Sequence, residues 1–431
     1  MKRLNGIRLP FRKKTETKPI EPLPLPRRVR LPMLMHSGEP CVPAVQTGDH
    51  VTVGQCIGRA ESPLASPIHA SVSGEVTAVT EITLTDGKTV PCVEIRAERE
   101  QVLCPDCHPP QLETKEDLIE AARLSGCVGL SGAGIPTHLK LSAAEKYDLL
   151  IVNAAECDPA LTADSRLMSE SPQDVIGGIE LILRLMNIRE ARIGIMDDKL
   201  TALKAMADAC EGHHAVRLCP IPAMYPQGAE KVLVFHTCGR IIEENQTAAD
   251  QKVLVLNVST CAFLYQYSQT GIPLIERVVT VTGNAVRHPS NIAVPIGTPV
   301  MDVLDYAGCD LEGMKVLLSG GMMMGECLTD LDYPVMRQQN GLIAMRKMKF
   351  PARSACIRCG ACMRACPMNL MPLRLEEAYI RQDLKMLRKY RVTLCMNCGC
   401  CTYVCPAHRP LAETNQRAKA ILPESRKGDA E

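Results

Sequence analysis

The stretch 356-CIRCGACMRACPMNLMP-372 sets four cysteines two, two and three residues apart and follows the last with proline. The pattern returns at 395-CMNCGCCTYVCPAHRP-410. This is the spacing that holds [4Fe–4S] cubes: three thiolates on one tight loop bind three irons, and the fourth ligand comes from the other run. The spacing therefore predicts one cluster on Cys356, Cys359, Cys362 and Cys405, and a second on Cys395, Cys398, Cys401 and Cys366. Small residues (Gly360, Ala361, Gly399, Cys400) let each loop turn closely around an inorganic core, and Pro367 and Pro406 stop it from continuing as a helix. Cys400 falls outside the spacing and is expected not to be a ligand. Zinc takes two Cys-x2-Cys halves separated by a longer loop, which two runs this tight fit poorly. Between the runs, 374-RLEEAYIRQDLKMLRKYRV-392 has helical spacing and serves as the spacer.

The remaining composition narrows the class. The chain has 431 residues, enough for several domains, and a net charge of +1. Without a basic excess, without tryptophan and with few aromatics, no nucleic-acid partner is expected. Its longest apolar runs, such as 252-KVLVLNVSTCAFLY-265, fall short of the roughly 20 residues a membrane span needs. The basic start, 1-MKRLNGIRLPFRKK-14, leads into prolines rather than an apolar signal core, so a cytoplasmic protein is expected. In that setting, 22 cysteines suggest metal ligands and buried thiols rather than disulfides. Cys104-Pro105-Asp106-Cys107-His108 matches the haem-attachment pattern, but attachment needs an exported chain; an ordinary turn is expected, with a thiol pair as the alternative.

Two adjacent clusters relay single electrons and need a source. A flavin joins them to pyridine nucleotides, which give two electrons at once. The best nucleotide site is 128-VGLSGAGIPTHLK-140, where Gly129, Gly132 and Gly134 make a loop able to cradle a phosphate and Lys140 adds charge. It is not G-x-G-x-x-G, and a helical stretch, 115–126, precedes it. The strand 148-DLLIVNAAEC-157 follows and ends in Asn153, Glu156 and Asp158, and ligands gather where strands end. Later come 225-YPQGAEKVLV-234 and a strand, 253-VLVLNVST-260, ending in Asn257 and Thr260, which could equally cap the next helix.

The sequence resembles the C subunit of the Rnf (also called Rsx) electron-transport complex. GLSGAGIPTHLK, NAAECDPALTADSRLM, YPQGAEKVLV, VTVTGNAVRHPSNIAVPIGT, GGMMMG and both cysteine runs carry the likeness, in order and over most of the chain. The family is similar to the flavin subunit of respiratory complex I. The resemblance implies non-covalent FMN, NAD(H) as substrate, two [4Fe–4S] clusters, and a peripheral place on the cytoplasmic face of the cell membrane. The partners implied are other subunits of a membrane complex that pumps Na+ or H+, with ferredoxin reached indirectly. Gly132, Gly134 and Lys140 would hold the FMN phosphate and ribityl chain; Asn153, Glu156 and Asn257 would line the flavin with help from Thr260; Glu230 would face the nucleotide ribose. Gly129 and Asp158 complete the expected set. Ser131 and Ile135 stand where the family usually has Gly and Phe, which bears on dinucleotide affinity.

The implied fold is multidomain α/β and α+β: an extended strap over 1–32, a barrel-sandwich hybrid over 33–100, an FMN/NAD(H)-binding α/β domain over 110–262, a β-grasp unit over 275–310, a connector over 311–350, a two-cluster ferredoxin-type helical domain over 351–415, and a tail over 416–431. The sandwich resembles lipoyl and biotinyl carriers, but its turn, Pro63-Leu64-Ala65-Ser66-Pro67, has no lysine, so a structural or docking domain is expected rather than a swinging arm. The Met322–Met324 run is expected to pack. Two alternatives stand beside this function: a stand-alone flavin and iron–sulfur reductase, such as a microcompartment cobalamin reductase, and a non-catalytic scaffold with structural clusters.

Overall fold

The computed structural model describes residues 4–10, 13–347 and 351–422. The α/β domain is built on a parallel sheet in the order Val216–Ile221, Ala191–Met196, Leu149–Ala154, Val253–Asn257. Its central strands read as unbroken apolar runs because both faces are covered. Alternation divides them: Leu150, Val152, Leu254 and Leu256 pack under helices Pro172–Leu185 and Val258–Thr270. Leu149, Ile151, Val253 and Val255 pack in a second apolar cluster, which includes Ala365 and Cys400 of the cysteine-rich domain. That domain thus lies on the second face of the sheet.

The sandwich has a four-stranded sheet (Arg28–Pro32, Thr89–Ala97, Gly74–Thr83, His50–Val51) and a three-stranded one (Val42–Pro43, Cys56–Arg59, Ile68–His69). Its lysine-free turn is pinned. The Pro63 carbonyl accepts from His138 Nε2 at 3.0 Å, and the Ser66 and Pro67 carbonyls accept from the buried Arg337. The Cys104–Cys107 stretch forms a turn closed by Cys107 N–H to the Cys104 carbonyl, with Cys104 bonded to Val53.

A six-stranded sheet, in the order Ile20–Pro22, Ser290–Pro295, Glu276–Thr282, Gly341–Met345, Val316–Ser319, Glu326–Cys327, forms the third body. Two features differ from expectation. The strap supplies an edge strand to this sheet, parallel to Ser290–Pro295, before it reaches the sandwich. The segment expected as a connector supplies three strands. Short strands separated by glycine-rich turns carry little period-two signal, and only their partners reveal them.

In the cysteine-rich domain, the spacer is not one helix. Pro372–Ile380 ends before Gln382, which adopts a left-handed φ of 54°, and Asp383 caps a second helix, Leu384–Lys389. Helix Leu411–Ala420 packs on the first of these and crosses residue 415; the tail's residues 423–431 lie outside the described residues. Among the described residues no helix is long and apolar enough to cross a membrane.

His36 and His69 sit near Arg337 at the junction of sandwich, α/β domain and third sheet. Burial first, then the Arg337 charge, pulls their pKa values down from 6.5 to about 4 and about 3. They are neutral when folded, so the unfolded chain binds more protons. Their stabilisation is complete above about pH 6.5 and is lost as pH falls toward those values, at up to about 1.4 kcal/mol per pH unit for each histidine. Melting temperature should therefore drop steeply between pH 6.5 and 4.5. A His36→Gln, His69→Gln double variant should show a clearly flatter profile; identical slopes would remove the two histidines from the acid response.

Candidate flavin edge and iron–sulfur centre

The strand order reverses at one place. From Leu149–Ala154 the chain adds strands to one side, then returns to add Val253–Asn257 on the other. The crevice at the carboxyl ends of those two strands is where open α/β sheets bind ligands. Asn153 and Asn257 are register partners there.

The glycine loop lies beside this crevice. Helix Lys115–Leu124, started by a Thr114–Asp117 capping box, ends at Ser125 and delivers the chain into it. The loop's carbonyls are tied back. Leu130 accepts from Arg277 at 2.9 Å, Ala133 from the Ser37 hydroxyl at 2.7 Å, Gly134 from Ser37 N–H at 2.8 Å, and Gly129 from Gly134 N–H at 3.3 Å. A loop held this way presents donors to its open side. Gly132, at φ +109°, has only open space where a Cβ would project. Residues 131–133 are exposed, and so is Ile135. Lys140 emerges on the short helix Thr137–Ser142, and its Nζ reaches the Val255 carbonyl at 3.3 Å and Glu230 at 3.8 Å. Glu230, at the start of helix Glu230–Cys238, is thereby brought to the glycine loop.

The strand-end residues divide into those facing the crevice and those engaged inward. Asn153 donates to the Gly228 carbonyl at 2.9 Å and so fixes the 225–229 loop over the edge. Asn257 caps the 258–270 helix: its Oδ1 accepts from Ser259 N–H at 2.9 Å, while its Nδ2 donates to Asp164 at 2.8 Å. The Glu156 carboxylate accepts from Asp164 N–H at 2.7 Å and from Ser165, and pairs with buried Lys199 at 3.1 Å. Burial opposes its charge, but Lys199 and then Lys13 outweigh that and hold it below the usual carboxylate range. Glu156 thus ties helix Ala163–Glu170 and the N-terminal segment to the strand end. Asp158 accepts from Met323 N–H at 3.2 Å and anchors the glycine- and methionine-rich loop; burial pushes its pKa up.

Two hydroxyls are buried here with no partner: Thr260 Oγ1 and Tyr225 OH. An orphaned buried hydroxyl costs about 1–3 kcal/mol, so a bound polar group fits this edge. Thr260 is among the residues expected from the sequence. Tyr225 is not, and its signal there is its place in YPQG at the sheet edge. The pair Lys13 and Lys199 also escapes sequence reasoning, since neither sits in a motif.

In the cysteine-rich domain, Cys366 stands with Cys395, Cys398 and Cys401 around one small cavity. Helix Leu411–Ala420 contributes Asn415, whose Nδ2 lies 3.6 Å from Cys395 Sγ. Near the first run, a clamp joins the two ends of the domain. Ser354 N–H donates to the Ala407 carbonyl at 3.0 Å, and buried Glu376 accepts from Arg353 at 3.2 Å and Arg409 at 2.7 Å. These bonds draw the residues before Cys356 against those after Cys405, and Cys405 lies close enough to Cys362 to act on its pKa. Both loops use left-handed residues at equivalent places: Arg358, Gly360 and Asn369 in the first, Asn397, Gly399 and His408 in the second. Among the described residues no three such side chains close on a single metal-binding point; the second set lines one small cavity. The donor chemistry of both runs suits [4Fe–4S] clusters, and the second set lines a cavity where one could sit.

Crossed ligation predicts that the anaerobically purified chain holds about eight irons and that Cys366→Ser loses the cluster of the second run, leaving about four. Loss of the first-run cluster instead would overturn the crossing. A flavin phosphate on the glycine loop predicts that Lys140→Ala weakens FMN binding about tenfold or more, from a charge-assisted contact of about 1.5–3 kcal/mol. Thr260→Val should also weaken FMN binding while leaving the melting temperature of the flavin-free chain unlowered. Calorimetric titration with FMN checks both.

Family models match four segments: an RnfC barrel sandwich hybrid domain over 2–100, a Nuo51 FMN-binding domain over 122–266, an SLBB domain over 278–325 and a 4Fe-4S dicluster domain over 355–408. The C subunit of the proton-translocating ferredoxin:NAD(+) oxidoreductase complex of Clostridium ljungdahlii is 38% identical over 375 residues, 84% of this chain and 81% of that one. Its Na(+)-translocating counterpart from Acetobacterium woodii is 36% identical over 380 residues, 86% of each. The C subunit of the ion-translocating oxidoreductase complex of Rhodobacter capsulatus is 37% identical over 416 residues, 94% of this chain and 80% of that one. With identity at this level over most of its length, and matched segments running from the lysine-free sandwich to the paired cysteine runs, the chain belongs to the C-subunit family of the ion-translocating Rnf complexes.

Proposed function

We propose that this chain carries electrons between NAD(H) and the other subunits of an ion-translocating membrane complex, through FMN and two [4Fe–4S] clusters. The observation that carries this is the apolar cluster that Cys400 and Ala365 share with Leu149 and Ile151 of the flavin-domain sheet, with Cys400 against the Tyr225 carbonyl. The relatives' names supply the couple, ferredoxin and NAD+.

When bound, FMN supplies the exchange between two-electron and one-electron carriers. The chain's own residues do the rest. Lys140 and the donors of the 129–134 loop hold a phosphate, and the Thr260 hydroxyl turns to the bound group. Asn153 keeps the 225–229 loop over the strand ends through Gly228, and Glu230 lies at the rim for a ribose. Gly132 gives the backbone its close approach. Cys366, Cys395, Cys398 and Cys401 hold the inner cluster, which faces the flavin domain. Cys356, Cys359, Cys362 and Cys405 hold the outer one.

The outer cluster is the exchange point with a partner. Cys359 is exposed there, as are Ile357 (67%) and Met363 (42%). From Tyr333 to Leu375 the sequence has no carboxylate, while Arg346, Lys347, Arg353, Arg358 and Arg364 fall in that span. Arg353 is exposed but pairs with Glu376, Lys349 lies outside the described residues, and Arg358 and Arg364 are exposed on the loop, Arg364 donating to the Cys359 carbonyl. Such a surface steers an acidic partner. A peripheral position on the cytoplasmic face of the membrane follows from that role, with ferredoxin reached through another subunit.

The full chain should oxidise NADH with ferricyanide, yet exchange electrons slowly with ferredoxin on its own. Arg358→Glu should slow electron transfer in the assembled complex at low salt and leave NADH–ferricyanide turnover intact. Equal loss of both activities would mean a disturbed fold. Fast ferredoxin turnover by the isolated chain would favour a stand-alone reductase.

A further inference from the structure

Arg277 stands on the third sheet, in strand Glu276–Thr282, yet its side chain reaches the glycine loop of the flavin domain. It is 5% exposed, and its Nη2 donates to the Leu130 carbonyl at 2.9 Å. Its Nε is buried with no partner among the described residues. Among those residues no carboxylate forms an ion pair with it either. Asp164, the acid whose charge acts on it, instead accepts from Asn257 Nδ2 at 2.8 Å and Ser259 Oγ at 2.5 Å. Burial draws the Arg277 pKa down to about 10, so at neutral pH it is still a cation. A buried charge without a partner is costly, and an incoming anion offsets that cost.

The geometry says where such an anion would lie. The 130–131 peptide is trans and planar, so with the Leu130 carbonyl turned to Arg277 the Ser131 N–H points the other way. Ser131, Gly132 and Ala133 are exposed on the open side of the loop. A carbonyl that accepts from a buried cation polarises its own peptide, which makes that N–H a stronger donor. We propose that Arg277 is a positioning residue that selects a phosphate monoester at the glycine loop: it fixes the Leu130–Ser131 peptide with its N–H outward and sets a positive charge behind it. The inference rests on the placing of the flavin phosphate on that loop. A phosphate monoester carries about two negative charges at neutral pH, whereas the same flavin without it carries none there. The third sheet thereby becomes part of the flavin site through a residue that lies outside the FMN-binding segment of the chain.

The test is calorimetric titration of the flavin-free full chain with FMN and with riboflavin, as wild type, Arg277→Met and Arg277→Lys. Wild type should bind FMN more tightly than riboflavin. Arg277→Met should bind FMN about tenfold more weakly, the scale of one hydrogen bond to a charged group, and riboflavin as wild type does. Arg277→Lys, which keeps a charge and a donor, should restore most of the preference. The melting temperature of the flavin-free chain should not fall in Arg277→Met, since an apolar side chain there removes a buried unpaired charge. Equal weakening of both flavins, a lowered melting temperature or failure to fold would make Arg277 a structural support and overturn the proposal. Unchanged FMN binding in Arg277→Met, or a lysine variant no better than the methionine one, would overturn it as well. A wild type that does not distinguish the two flavins, with Lys140→Ala also without effect, would instead defeat the placing of the phosphate on the loop.

Discussion

The joint between Cys400 and Tyr225 is the contact on which the rest of the molecule depends. Tyr225 stands on the loop that Asn153 holds over the flavin edge, and its carbonyl receives both Ile7 N–H and the Cys400 thiol. Around it, Ile7, Leu9, Leu149, Ile151, Ala155 and Cys157 close an apolar cluster with Ala365 and Cys400. Burying that surface holds one cysteine loop on the sheet whose carboxyl edge forms the crevice. A surface joint would be hydrated and mobile, whereas an apolar one excludes water and fixes geometry.

The N-terminal segment explains how the separate bodies keep that geometry. Asn5 bonds Asn369 in the cysteine-rich domain, Ile7 pairs with Tyr225, and Lys13 donates to the Glu156 carbonyl. Asn291 donates to the Thr15 carbonyl, and Ile20–Pro22 adds an edge strand before the chain enters the sandwich. The described residues of the N-terminal segment therefore link the bodies through both backbone and side-chain bonds. Prolines suit such a path, since they hold the chain extended and forgo only their own N–H.

Charge at the flavin edge is arranged with similar economy. Glu156, at the strand end, is fully occupied by Lys199, Ser165 and the start of a helix. Removing one partner would leave a buried charge unpaired, the costly case for ion pairs of this kind. Burial and the neighbouring Lys199 charge draw Lys13 down to about 8. The crevice itself keeps Lys140 and Glu230, part-exposed and 3.8 Å apart, a weak pair that a phosphate can displace at little cost.

The sequence alone was enough to read two cubane loops, a glycine loop before an α/β sheet, and a sandwich without a carrier lysine. Each of these is a local signal, in which fixed spacing or one residue type at one turn dictates the chemistry. Family likeness then ordered the domains. Tertiary structure decided what spacing cannot encode. It turned the Glu156 carboxylate inward toward Lys199, because the positive charge waits 43 residues away in sequence. It gave the supposed connector three strands, because their partners are distant in the chain. It broke the spacer helix at Gln382, where a left-handed residue and the Asp383 cap outweigh helical propensity. Above all, it set a leftover cysteine against a flavin-domain carbonyl, since burial and proximity across domains are properties of the packed chain and not of any stretch within it.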